Sequence, residues 1–142
     1  MKNNNVIIVG VGVILLAAGG FLVMSRNAQT PPTNSTPQDE NTIVYTSAGF
    51  SPKNLTVKAG TAVTFVNEST RPTWPATDVH PTHTEYPNSD ISKCGTAEEG
   101  STFDACRNVE PGETYSFTFN EVGEWGFHDH LNPTATGVIT IE

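Results

Sequence analysis

Two hydrophobic patterns divide the chain. From Val6 to Met24, nineteen residues run without a charge or a strongly polar side chain. At 1.5 Å per residue a helix over them spans roughly 28 Å, close to the hydrocarbon thickness of a bilayer. Beyond Thr42 the apolar residues come in short bursts that alternate with polar ones. Thr42–Thr46 reads TIVYT; Leu55 and Val57 alternate with Thr56 and Lys58; Thr61–Asn67 places Val63 and Phe65 on one face. Thr114–Phe119 places Tyr115, Phe117 and Phe119 on one face, Trp125 and Phe127 alternate in EWGFH, and Gly137–Ile141 reads GVITI. A period of two, punctuated at Ala59-Gly60, Pro111-Gly112 and Val122-Gly123, predicts short strands. Strands of this kind with Gly and Pro turns indicate an all-β sandwich or barrel.

The organisation follows. Residues 1–26 read as an N-terminal transmembrane anchor, with a cleaved signal segment as the alternative, since Ala17 to Gly20 resembles a small-residue cleavage site. The charge bias of Lys2 and the amino terminus against Arg26 favours a single-pass cell-membrane protein whose C-terminal domain is extracytoplasmic. Residues 27–41, rich in Pro, Thr and Asn, read as a solvated linker. Residues 42–142 form the folded domain, and its irregular stretch from Glu68 to Glu110 is long enough to be functional. The net charge of −8, with Lys+Arg 7 against Asp+Glu 15, argues against nucleic acid or anionic lipid surfaces as partners and suits a cation.

The candidate chemistry lies in the polar residues. Cys94 and Cys106, both in the irregular stretch, form a disulfide if the domain is exported; the rival reading makes them metal thiolates. All four histidines fall in two places, His80-Pro81-Thr82-His83 and His128-Asp129-His130. Residues i and i+2 of a strand share a side, so His128 and His130 are placed to chelate one ion. The alternative is four surface histidines bonded to their neighbours. Clustering of every imidazole at two spots favours a metal site of His80, His83, His128 and His130. Asp129, between two ligands, is expected to point away from the metal and to orient an imidazole by a hydrogen bond. Asp78, Glu85 and Asp90 add negative potential near the first pair. Trp74, Tyr86 and Trp125 flank these motifs and read as ordinary packing.

At this point the chain resembles a known family. GFSPKNLTVKAGTAVTFVN (Gly49–Asn67) is similar to the first half of a cupredoxin, the blue-copper Greek-key β-sandwich, and PGETYSFTFNEVGEWGFHDHLNPTATGVITIE (Pro111–Glu142) to its second half. With WPATDVHPTH (Trp74–His83), it looks like a subgroup carrying HPTH and HDHLNP motifs. The resemblance implies ligands gathered at one pole of the sandwich, and copper rather than zinc. The blue-copper ligands themselves are absent from their usual places. The cysteine position falls on Asp129, the late histidine on Asn132, the methionine near Ala135 and the early histidine on Thr73. The His-x-His after an aromatic strand resembles one motif of multicopper oxidases, but four histidines do not supply a trinuclear cluster.

Three or four imidazoles suit Cu2+, with Zn2+ as the alternative cofactor, and without a thiolate no intense blue colour is expected. The expected function is a membrane-tethered cupredoxin-like protein that carries or buffers copper, or transfers electrons, with a redox or copper-delivery partner. The alternatives are a mononuclear-copper redox enzyme with an open coordination position, or a metal-free sandwich used for surface attachment. No histidine stands near a plausible N-terminus to form a histidine brace, and no Ser sits in a nucleophile-elbow context.

Overall fold

The computed structural model describes residues 40–142. The expected anchor over residues 1–26 and the linker up to residue 39 lie outside the described residues. Within them, eight strands run in the order β1 (Thr42–Thr46), β2 (Gly49–Ser51), β3 (Asn54–Val57), β4 (Thr61–Asn67), β5 (Pro75–Thr77), β6 (Thr114–Phe119), β7 (Gly123–Asp129) and β8 (Asn132–Ile141). Two short 3-10 turns, Ile91–Lys93 and Glu99–Ser101, interrupt the connection between β5 and β6. Among the described residues no helix is long and apolar enough to cross a membrane.

The strands make two four-stranded sheets, β2-β1-β4-β6 and β3-β8-β7-β5. Alternation does the sorting. In β4, Val63, Phe65 and Asn67 are buried while Thr64 and Val66 are not. The inward residues of both sheets, among them Ile43, Tyr45, Phe50, Val63, Phe65, Phe119, Phe127, Ile139 and Ile141, join Phe103 and Tyr86 in one core. Phe65 and Phe127 meet across the sheets edge to face, with centroids 5.3 Å apart. Such a pair contributes about 0.5–1.5 kcal/mol beyond the area it buries. Where Phe127 needs room, β8 carries Gly137, paired directly with it. A Cβ there would run into the Phe127 ring and lie 2.6 Å from the carbonyl oxygen of Lys53.

The six strands expected from the alternation all form. β8 begins at Asn132 rather than Gly137, and β2 and β5, three residues each, were not expected. β5 matters most for the site. It pairs antiparallel with β7, setting Ala76 opposite His128 and Thr77 opposite Phe127. On its other side Ala76 bridges to Asp104. Cross-strand partners share a face. Phe127 and Thr77 therefore face the core, and the row His128, Ala76, Asp104 faces outward, beneath the loop that follows β5.

Candidate metal centre

Ala76, fully buried, is the floor of this outward face. Its single methyl group leaves space above β5, and the loop carrying His80 and His83 folds back into it. The loop closes on itself through the amide of His83, which donates to the carbonyl of Val79 at 2.7 Å. His83 holds a left-handed backbone, φ 56°. That conformation costs a non-glycine residue about 1–3 kcal/mol and persists only where the surroundings fix it. Here burial fixes it, together with a hydrogen bond of 2.5 Å between His83 Nδ1 and Asp104 Oδ2.

The four imidazoles meet. One ligand nitrogen from each of His80, His83, His128 and His130 lies within 4.8 Å of the others. His80 Nδ1 stands 3.3 Å from His128 Nε2, and His130 Nδ1 stands 3.0 Å from His83 Nε2. Metal–nitrogen bonds of about 2.0–2.1 Å in a tetrahedron set nitrogens about 3.3 Å apart; the two pairs at 3.3 and 3.0 Å match that spacing, and the wider ones, up to 4.8 Å, would have to draw in around an ion. The protein fixes the tautomers as well. His83 donates from Nδ1 to Asp104, and His128 donates from Nδ1 to Asp78 Oδ1 at 2.7 Å. Both therefore turn an unprotonated Nε2 toward the centre, as a ligand must.

Electrostatics favour the neutral form of two of the rings, His128 and His130. Desolvation by burial, aided by the neighbouring imidazoles, holds His128 below the ordinary imidazole range; the opposing pull of Asp78 does not reverse it. Desolvation does the same for His130. Asp104 is the converse case. Burial pushes its carboxyl up, but hydrogen bonds from His83, from Trp74 Nε1 at 2.5 Å and from the Cys106 amide at 2.7 Å outweigh it and hold it below the ordinary value. Asp104 is thus a buried anion that ties three segments together.

All four expected ligands come together, on the outer face of β7 and β5 at the His128 end of β7. The carboxylates on the imidazoles are Asp104 and Asp78. Asp129 lies on the opposite face, and its Oδ1 accepts from the amides of Trp74 at 2.8 Å and Leu131 at 3.1 Å. Because the His130 amide in turn donates to the Trp74 carbonyl at 2.8 Å, Asp129 bears on the site through the backbone of the turn. A register shift between His128 and Asp129 turns the chain there. Trp74, expected to be ordinary packing, lies against the His130 ring with centroids 4.8 Å apart. Asp104 was not anticipated; the signal was a lone acid between Phe103 and Ala105 in a buried run. Cys94 and Cys106 are joined in a disulfide, which removes both as thiolate ligands.

The chain belongs to the cupredoxin-like domain family, which it matches over residues 12–141. Among solved structures it is similar to a purple cupredoxin from Nitrosopumilus maritimus, at 18% identity and a TM-score of 0.54, covering 71% of this chain and 98% of that one. It is also similar to amicyanin from Paracoccus versutus, at 18% identity and a TM-score of 0.50, covering 75% and 84%. A copper-containing nitrite reductase from Thermus scotoductus aligns at 23% identity and a TM-score of 0.50, over 71% of this chain and 22% of the enzyme. Identities this low establish the sandwich and leave the site to be argued from its own residues. No curated protein matches the chain in sequence.

Proposed function

We propose that this protein binds one copper ion through His80, His83, His128 and His130 and carries or buffers copper, or passes electrons, outside the cytoplasm while tethered by its N-terminal segment. The observation that carries the reading is the convergence of four imidazole nitrogens within 4.8 Å, two of them turned inward by Asp104 and Asp78. Four neutral nitrogens fit Cu2+, and Zn2+ second. Bound copper supplies a one-electron couple or a transferable ion. The residues supply the rest: two buried rings set the position, Asp104 and Asp78 set the tautomers, and Trp74 covers His130. The membership in a cupredoxin-like family favours copper over zinc. The charge-free run Val6–Met24 supports the tether and the extracytoplasmic placement, and a redox or copper-delivery protein is the fitting partner.

The test is metal content and electron paramagnetic resonance of the purified full-length chain. One copper per chain, with nitrogen hyperfine structure and no intense blue band, is expected. Full occupancy by zinc after growth in copper, or copper binding that survives loss of both His128 and His130, refutes it. For the tether, the chain is expected in the membrane fraction, released by detergent and not by high salt.

A further inference from the structure

The four imidazoles are not held alike. His83 is fully buried with Nδ1 on Asp104. His128 is 1% exposed, carried by β7, with Nδ1 on Asp78. His130 is half-buried, its amide on the Trp74 carbonyl and its ring against the Trp74 indole. His80 alone of the four is exposed. Its ring neighbours are the other three imidazoles, at centroid distances of 6.2, 5.3 and 4.9 Å from His83, His128 and His130. Among the described residues no carboxylate, carbonyl or indole fixes its second nitrogen. Val79, the residue before it, is 59% exposed.

We propose that His80 is the exchangeable ligand: three anchored imidazoles keep the metal while His80 swings out and an external nitrogen or small anionic donor takes its place. This rests on the copper reading above. The physical reason is what each ring loses on leaving. Withdrawing His83 or His128 breaks a hydrogen bond to a carboxylate and, for His83, abandons a buried anion. Withdrawing His130 uncovers Trp74. Among the described residues His80 breaks no hydrogen bond or ring contact outside the cluster, and its ring is the exposed one of the four. The vacated side faces solvent, so a donor on an acceptor protein or a small molecule reaches the metal there without any rearrangement of the sheet. Exchange at this one ligand also bears on whether the site only stores copper or meets small ligands.

The experiment compares full-length wild type, His80→Ala, His83→Ala and His130→Ala, each loaded with Cu2+ at constant pH. Circular dichroism confirms the fold. The readouts are copper retained after gel filtration, the resonance spectrum with and without added imidazole, and the rate of copper loss to a chelator. His80→Ala is expected to keep one copper per chain, to change its spectrum on adding imidazole, and to lose copper roughly 10-fold faster than wild type. His83→Ala and His130→Ala are expected to lose copper on the column. If His80→Ala loses copper as completely as they do, or its spectrum ignores imidazole, the assignment of His80 is overturned while the copper reading stands. If wild type takes up no copper, both are overturned.

Discussion

Asp104→Asn tests the architecture of the site at its most buried point. The carboxylate accepts from three donors: His83 Nδ1, Trp74 Nε1 and the Cys106 amide. Both His83 and Asp104 side chains are fully shielded from water. Asparagine keeps the shape but offers one acceptor and one donor end. With its oxygen toward Trp74 and Cys106, its NH2 faces His83 Nδ1. His83 must then carry its proton on Nε2, which points into the site and blocks ligation. Flipped, the amide restores the tautomer of His83 but sets NH2 against two buried N–H donors, which costs about 1–3 kcal/mol. Either way copper affinity falls by about that amount, about 5–160-fold at 1.36 kcal/mol per decade, a range that brackets the roughly 10–100-fold effect of losing a carboxylate behind a metal-bound imidazole. Asp78→Asn is expected to cost less than tenfold, because the Asp78 side chain is 38% exposed and water replaces it. The assay is competition against a chelator of known affinity at a pH of about 7.5, above the imidazole range. Circular dichroism verifies the fold. Binding by Asp104→Asn within twofold of wild type, or a larger loss in Asp78→Asn, refutes the reasoning.

Three further expectations follow from the same structure. The Cys94→Ser/Cys106→Ser variant loses about 3 kcal/mol of stability from release of its closed loop, measured by denaturant unfolding, and its copper affinity drops less than that of Asp104→Asn, since the Cys106 amide remains. Gly137→Ala forces a Cβ against the Phe127 ring and the Lys53 carbonyl and destabilises by about 1–3 kcal/mol; an unchanged melting temperature would contradict the packing described for β7 and β8. For the metal-free protein, desolvation lowers the folded-state pKa of His128 and His130 below the ordinary 6.5, so the unfolded chain takes up protons first as pH falls. The stability they contribute is full above about 6.5 and declines from there down to the folded-state values, a trend that thermal unfolding across the range reads directly; stability rising over that interval would reverse the sign.

What the amino-acid pattern made legible was whatever repeats locally. Tyr115, Phe117 and Phe119 announce β6, and Val63 and Phe65 announce β4, because each strand buries one face. β5 escaped because it spans three residues, opens with Pro75 and is buried at every position, so no alternation marks it. Its existence comes from pairing with β7 and with Asp104, contacts made across long stretches of sequence. The same holds for the site. The histidines were visible because the chain has no others. Asp104, 21 residues from His83, was invisible because nothing local says which acid a folded loop will meet. Asp78 stood near the first pair, yet only the β7 register brings it to His128.

The position of the centre follows from parity along one strand. Phe127 enters the core, so His128 leaves it, and past the register shift Asp129 lies on the inward side, beside Tyr45. Burial and the Asp129 carboxylate together push the Tyr45 phenol up. Histidines one residue to either side lie instead on the outward face, where the sheet alone provides neither walls nor fixed partners. The chain supplies both from elsewhere. The loop after β5 brings two more imidazoles and Asp78; the segment closed by the disulfide brings Asp104; Ala76 and Gly126 leave the strands bare enough to receive them. At Gly126 a Cβ would lie 2.5 Å from Asp78 and 2.7 Å from Glu85. The imidazole cluster thus joins the outward face of the sheet to a second layer, the long irregular stretch between β5 and β6.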